Sequence, residues 1–562
     1  MQKASLHQDF GRQVCSQCSA SFEITDDDLA FYERLQVPAP LWCPPCREMR
    51  RMAWYTERYL YQGQCALCRK SVVSQFAPGN QRTQYCLGCW WSDKWDPLSY
   101  GRDYDPHRPF FEQFHELETA VPYACTTNDT VLTNCDFTHQ TGHSKNCYLV
   151  FHTSLCEDCY YGYGVKKSRN CMDVHYCHES ELCYECIDVV GCYGLSWCQD
   201  CQNCSESRFI RDCIGCSECS LCVGLRNKKH CFLNEQLSPK EYKERIAEAS
   251  TGSWSMTQSM LQKFKELQLR HHWKCLQTEM TENSTGNYLY RARDAQQCYD
   301  CSDIEHSKYC SQLQLGVRYC RDIFQFGIGI ELCYDSLSIG YSSYDLAFCV
   351  SCMESAARLR YCMYCFGGTS DCFGCVQLQR GKFCILNKQY TESDYHSLQA
   401  KIIEKMKADG EYGEFFPMHY CASGYNESTA QWWYPKTKEE ASRKNWPWED
   451  NLPRTEGKET LDDIPDRIED ARDSVVGKVL RCEKCAKNFK IIAQELAFYR
   501  TRTIPLPRRC FDCRRMDRFA LRNPRKLWTR PCMKCGKEME TTYPPTRSET
   551  VYCEECYLAA VY

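Results

Sequence analysis

Apolar and polar positions in the middle of this chain alternate over very short spans. Phrases such as Asn146-Cys147-Tyr148-Leu149-Val150, Cys159-Tyr160-Tyr161-Gly162-Tyr163 and Cys183-Tyr184-Glu185-Cys186-Ile187 are separated by Ser, Asn, Asp, Glu and Gly. Aromatic and β-branched residues in such short runs, bounded by turn-formers, predict short strands. The cysteines set a rhythm: Cys135, Cys147, Cys159, Cys171 and Cys183 follow Cys125 at intervals of 10, 12, 12, 12 and 12, and Cys192, Cys201, Cys213, Cys222 and Cys231 continue at 9 to 12. A repeat this short predicts strands stacked as a β-solenoid, with about two such segments per turn.

The middle is doubled. Cys219-x2-Cys222-Val223 and His230-Cys231-Phe232-Leu233-Asn234-Glu235-Gln236 return 153 residues later as Cys372-x2-Cys375-Val376 and Phe383-Cys384-Ile385-Leu386-Asn387-Lys388-Gln389. Each copy then meets a hydroxyl-x-x-acid start, Ser238-Pro239-Lys240-Glu241 and Thr391-Glu392-Ser393-Asp394, the signature of a capped helix N-terminus. Helices there would cover the end of a strand stack, whose unpaired backbone groups otherwise invite aggregation. Trp432-Trp433-Tyr434-Pro435 and Trp446-Pro447-Trp448 mark residues 426–476 as an ordered connector.

The chain ends carry a second duplication. Cys15, Cys18, Cys43, Cys46, Cys65, Cys68, Cys86 and Cys89 reappear at one offset of 467 as Cys482, Cys485, Cys510, Cys513, Cys532, Cys535, Cys553 and Cys556. Each end reads C-x2-C-x24-C-x2-C followed by C-x2-C-x17-C-x2-C. Paired C-x2-C turns present four thiolates to one tetrahedral ion, so four structural Zn2+ sites are expected. The segments are paired metal modules (1–95), a connector (96–124), the first cysteine-rich repeat (125–237), a helical segment (238–285), the second repeat (286–390), a helical segment (391–425), the Trp-rich connector (426–476) and a basic pair of metal modules (477–562).

Composition agrees with a fold held by something other than one large apolar core. Of 562 residues, 43% are hydrophobic and 48 are cysteine, with a mean hydropathy of -0.59. Met1-Gln2-Lys3-Ala4-Ser5-Leu6-His7-Gln8-Asp9 lacks the apolar run of a signal peptide, and no stretch reaches membrane-spanning length, so a cytoplasmic protein without a membrane partner is expected. In a reducing compartment, C-x2-C pairs point to metal rather than disulfides.

Net charge is only -4, but its distribution is uneven. Residues 478–530 hold sixteen Lys or Arg against four acids, a net +12, whereas the matching window 11–63 has six basic and seven acidic residues. Arg508, Arg509, Arg514, Arg515, Arg518, Arg522, Arg525 and Lys526 are therefore candidate contacts to RNA, the ribosome or another polyanion, with a solvated surface as the plain alternative. Phe498, Tyr499, Trp528 and Tyr552 are candidates to stack on unpaired bases or, as is expected for Phe498, to fill the module core.

The first set of each end, with its aromatics, resembles a bacterial zinc-ribbon family of treble-clef type. The matching positions are Cys15, Cys18, Phe22, Phe31, Tyr32, Pro40, Cys43, Cys46 and Arg47, and again Cys482, Cys485, Phe489, Phe498, Tyr499, Pro507, Cys510, Cys513 and Arg514. The whole plan is similar to large uncharacterised cysteine-rich proteins of small-genome bacteria with such ribbons at both ends. The resemblance implies zinc binding and brings no activity with it. The expected fold is mainly β: a duplicated solenoid-like centre flanked by small α+β zinc-ribbon modules.

No catalytic residues are assigned. There is no G-x4-G-K-[ST] and no H-E-x-x-H, and Gly327-Ile328-Gly329 is too short for a dinucleotide loop. Pro531-Cys532-x2-Cys535 is half of a zinc deaminase signature, but that chemistry needs an upstream His-x-Glu beside it, and the last histidine is His419. The central thiols read as an inert interior ladder, with Cys213, Cys216, Cys219 and Cys222 as the alternative ligand set for zinc or an iron–sulfur cluster. The expected function is a non-catalytic zinc scaffold that binds RNA through its basic end. The rivals are a pure protein-interaction scaffold and an iron–sulfur or redox protein.

Overall fold

The structure, a computed structural model, describes residues 11–249, 252–460 and 463–562. The start from which a leaderless chain was inferred, Met1–Asp9, lies outside the described residues. Strand exceeds helix, and among the described residues no helix is long and apolar enough to cross a membrane. The chain forms two compact units, each from two stretches: Met1–Cys125 with Leu276–Leu452, and Thr126–Cys275 with Pro453–Tyr562. Each unit thus combines the metal modules of one chain end with the more distant of the two central repeats.

In the second of these units, residues 132–232 pair in parallel at a twelve-residue step: Leu132 with Ser144, Phe151 with Tyr163, Ile187 with Gln199, Ser220 with Phe232. The backbone φ turns positive at every third residue, as at Asp158, Tyr161, Gly164, Lys167, Asn170 and Asp173. Each twelve-residue winding therefore has four three-residue sides, and the expectation of two strand segments per turn is corrected. A left-handed corner is costly for most L-residues. Here the ladder offsets it, because corner amides bond backward and mid-side amides bond forward, as in Asp173 N to Tyr160 O at 3.0 Å and Tyr160 N to Cys171 O at 2.9 Å.

One residue per side points inward. Cys156, Cys159, Val165, Ser168, Cys171, Val174, Cys177 and Ser180 are all buried. The interior is lined mostly by Cys, Ser and Val, with Leu195 and Ile210 among its larger residues, and its thiols and hydroxyls donate to the carbonyl two residues back: Ser168 Oγ to Lys166 O at 2.9 Å, Cys171 Sγ to Arg169 O at 3.1 Å.

The other unit's repeat, from Thr278 to Ile385, follows the same plan with larger windings. Its step is 12 at Gly286–Cys298 and Ser370–Lys382 but 13 at Ser311–Phe324, Ile323–Ser336 and Tyr344–Ala357. The added residue falls at one corner, where two successive residues take positive φ: Leu315-Gly316, Ile328-Gly329, Tyr341-Ser342, Glu354-Ser355 and Gly367-Gly368. Gly327-Ile328-Gly329 belongs to such a corner. Its interior holds more Leu and Ile, Leu313, Ile339 and Leu359 among them, all fully buried.

Both repeats close on an antiparallel hairpin, Cys231 opposite Gln236 and Cys384 opposite Gln389, and then enter a helix. Ser238 and Glu241 form a reciprocal capping box on helix Pro239–Glu248, and Thr391 Oγ1 accepts from Asp394 N on helix Glu392–Asp409. Tyr242 and Tyr395 are buried, with ring centroids 5.7 Å from His230 and Phe383. The Trp-rich segment is ordered: Trp446 is buried and stacks on Tyr425 at 5.2 Å, while Trp432, Trp433 and Trp448 are half-buried. The segment is divided between the units after Leu452.

Candidate metal centres

All four predicted cysteine sets assemble. In each, the first C-x2-C sits on a hairpin turn and the second opens a helix. Cys43, Cys86, Cys510 and Cys553 are the N-caps of helices Pro44–Ala53, Leu87–Trp90, Phe511–Phe519 and Glu554–Val561. Helix N-termini leave amides unpaired and carry partial positive charge, which favours thiolate there.

The hairpin turns repeat atom for atom. Cys15, Cys65, Cys482 and Cys532 accept through their carbonyls from the amides of Ser19, Arg69, Ala486 and Gly536, at 2.8–2.9 Å. Those four residues all adopt positive φ, and only the last is glycine. Burial opposes ionisation of the leading thiol. Backbone amides outweigh it, holding Cys65 and Cys532 down at about 6 and Cys482 at about 7.

Within each set the four sulfurs lie within 4.8 Å of one another. Sγ separations are 3.7 Å for Cys18–Cys43, Cys68–Cys86 and Cys485–Cys510, and 3.8 Å for Cys535–Cys553. A four-coordinate ion with metal–sulfur bonds of about 2.3 Å has S···S edges of about 3.8 Å, so the donor sets fit a tetrahedral tetrathiolate metal. Disulfides are excluded by the same distances, and all 48 cysteines are free thiols.

Cys213, Cys216, Cys219 and Cys222 take four successive sides of one winding and do not gather as a group. A different trio does, Cys171, Cys177 and Cys183, with all three sulfurs within 4.8 Å.

The basic stretch behind each first set is not a free surface. Arg514, Arg515, Arg518 and Arg522 are 2–8% exposed. Arg514 Nε lies 3.0 Å from Asp173 Oδ2, Arg518 reaches Asp173 at 3.0 Å and Glu185 at 2.8 Å, and Arg522 Nε reaches Asp188 at 3.0 Å. Tyr161, Tyr163 and Tyr176 lie under the Arg514, Arg515 and Arg522 guanidiniums at 4.6–5.8 Å. These four arginines are therefore corrected from candidate phosphate contacts to internal fasteners. Arg508 and Arg509 are half-buried, pairing with Glu483 and Asp517, and Arg525 is half-buried; of the eight, only Lys526 is exposed, its ammonium over Trp528.

The other unit has the same joint. Arg47 and Arg51, one helical turn apart, insert between Asp322 and Asp335: Arg47 to Asp322 at 2.8 Å, Arg51 to Asp322 at 3.2 Å and to Asp335 at 2.7 Å. In both units the acids are left-handed corner residues one winding apart, Asp322 and Asp335, Asp173 and Glu185. Burial opposes the charge on Arg47 and Arg514, but Asp322 and Asp173 outweigh it and push both guanidiniums above their ordinary range. The aromatic pair of the resemblance serves the same contact, since Tyr32 packs edge-on to Tyr334 at 5.0 Å and Tyr499 to Tyr184 at 5.8 Å. Sequence reasoning missed the acids, which share only their corner positions in the twelve- or thirteen-residue rhythm.

Comparison with protein-family models finds no match, and comparison with curated proteins finds no relative, so the tetracysteine centres rest on their own geometry: this is a cysteine-rich chain with four sites able to hold a metal ion.

Proposed function

We propose that the chain is a non-catalytic zinc scaffold. Four structural zinc ions fold treble-clef-type ribbon modules, and arginine helices fasten these modules to a duplicated β-solenoid that displays a surface to a macromolecular partner. The observation that carries the reading is the closed sulfur set at each centre, with edges of 3.7–3.8 Å and no protein ligand wanting. A catalytic zinc keeps a position for water; a structural one is fully ligated. Each ion would contribute on the order of 10 kcal/mol of apparent folding free energy to modules too small to fold on apolar burial. Free thiols throughout suit a reducing, cytoplasmic setting. Anaerobic purification with elemental analysis tests this reading: near four zinc per chain is expected, and Cys482→Ser or Cys532→Ser should each remove one. Brown, iron-containing protein, or a fully folded metal-free chain, overturns it.

A second reading, contact with RNA or a ribosomal surface, is favoured by one observation. Lys484, Lys487, Lys490, Lys534 and Lys537 are all exposed around the two C-terminal hairpin turns. Phosphate contact through them would be salt-dependent. Replacing Lys487, Lys490, Lys534 and Lys537 by Glu should abolish RNA binding while zinc content stays at four; binding indifferent to salt and to these charges leaves the protein-interaction scaffold alone.

A further inference from the structure

One side of the 132–236 stack carries a column of thiols, Cys135, Cys147, Cys159, Cys171 and Cys183, each one winding above the last. Neighbours along the column lie one winding apart, Cys147 between Cys135 and Cys159 and Cys171 between Cys159 and Cys183. Cys135 is half-buried, whereas the other four are buried. At the inner end Cys177, two sides further round the winding, reaches across to the column. Its sulfur lies 4.0 Å from that of Cys171, and the three sulfurs of Cys171, Cys177 and Cys183 are mutually within 4.8 Å.

This trio differs from the tetrahedral sets in two ways. No fourth Cys, His, Asp or Glu joins it among the described residues, and it is buried in the stack interior with Val165, Val174 and Val189, with Ser180 on the side next to Cys177. A planar three-thiolate ion with bonds of about 2.3 Å has S···S edges of about 4.0 Å, matching Cys171–Cys177. Zinc seeks a fourth ligand, whereas a buried all-thiolate site of three suits a soft univalent ion.

We propose that Cys171, Cys177 and Cys183 form a three-coordinate Cu(I) site, reached from Cys135 by ligand exchange along Cys147 and Cys159. Copper remains Cu(I) at every step. Each exchange breaks one Cu–S bond as another forms and passes the proton of the incoming thiol to the thiolate left behind, so that only the protons of the thiols holding copper at the end are released, and no oxidant or reductant is consumed.

The test is anaerobic titration of the zinc-loaded full chain with Cu(I) in competition with a chromophoric Cu(I) chelator, with X-ray absorption on the product. The expected result is tight binding with a copper shell of three sulfurs and no nitrogen or oxygen, while zinc stays with the protein. Cys177→Ser should weaken that site at least tenfold. Serine already fills the same kind of interior position at Ser168 and Ser180, and far-UV circular dichroism checks folding; Cys171→Ser, expected to behave alike, is the second variant should Cys177→Ser fail to fold. Cys135→Ser should leave the final affinity unchanged but slow uptake severalfold. Copper that binds only by displacing zinc, or that binds a folded Cys177→Ser or Cys171→Ser variant as tightly as the parent, overturns the proposal.

Discussion

Arg518 Nη2 sits 3.0 Å from Asp173 Oδ1, although 345 positions separate the two residues in sequence. Both side chains are buried, and the pair joins the helix behind a cysteine centre to a left-handed corner of the strand stack. Removing one partner would strand a desolvated charge, which costs about 3–5 kcal/mol. Arg518→Ala is therefore expected to lower the denaturation midpoint of its unit sharply. The double replacement Arg518→Met with Asp173→Leu should recover little of the loss, because it also takes Asp173 from the buried Arg514 and leaves Glu185 without Arg518. Chemical denaturation of the three proteins checks the order.

Metal and joint should be coupled, because Cys510 and Cys513 open the helix that carries Arg514 and Arg518. Cys510→Ser is expected to lower the metal content by one ion per chain. It should also raise amide hydrogen exchange across residues 511–519, with little change over 44–53. Uniform protection in both helices would contradict the coupling.

The hairpin turns offer a finer test. Ala486 and Gly536 occupy the same left-handed position, φ 58° and 77°, four residues after the leading cysteine of their sets. Alanine is strained there and glycine is not. Gly536→Ala should destabilise its module by about 1 kcal/mol, while Ala486→Gly should gain about 0.5 kcal/mol after the extra freedom of the unfolded chain is counted. Metal-release midpoints against a chelator measure both.

Acid should weaken the second unit through His271. Burial, then His272, Arg226 and Arg211, push its pKa down to about 4. In the unfolded chain it protonates near 6.5. Its contribution is complete above about pH 6.5. As pH falls from there toward 4, the unfolded chain takes up a proton that the native chain refuses, so stability declines, by at most about 1.4 kcal/mol per pH unit and less for a side chain still partly exposed. His271→Gln should flatten part of that slope, with His152, His175, His178 and His272, also pushed down by burial, contributing in the same sense.

Much of this arrangement was legible in the residues themselves. The offset of 467 located all sixteen cysteines of the four assembled sets, because a tetrathiolate centre leaves little freedom in C-x2-C spacing. The twelve-residue rhythm from Cys135 to Cys183 was visible too. Its four-sided form was signalled by Cys198, Cys201 and Cys204, which repeat every third position; an alternating strand would instead place inward residues two apart. What composition could not convey was the destination of Arg514 and Arg518. A run of arginines looks the same whether it faces phosphate or a buried aspartate, and Asp173 carries no local mark beyond its corner. The crossed pairing of each chain end with the distant repeat was equally hidden, since it depends on contacts between segments hundreds of residues apart.

The three-residue side sets how such a stack can change its length. Losing a single residue between Cys147 and Cys231 would rotate every later thiol off the axis, while losing three would move each onto a neighbouring wall. Unless a corner takes up the change, as the doubled left-handed corners of the 13-residue windings do, only the removal or addition of about one whole circuit returns all inward groups to their own faces, so a lineage could lengthen or shorten the stack a storey at a time without redesigning what lies above.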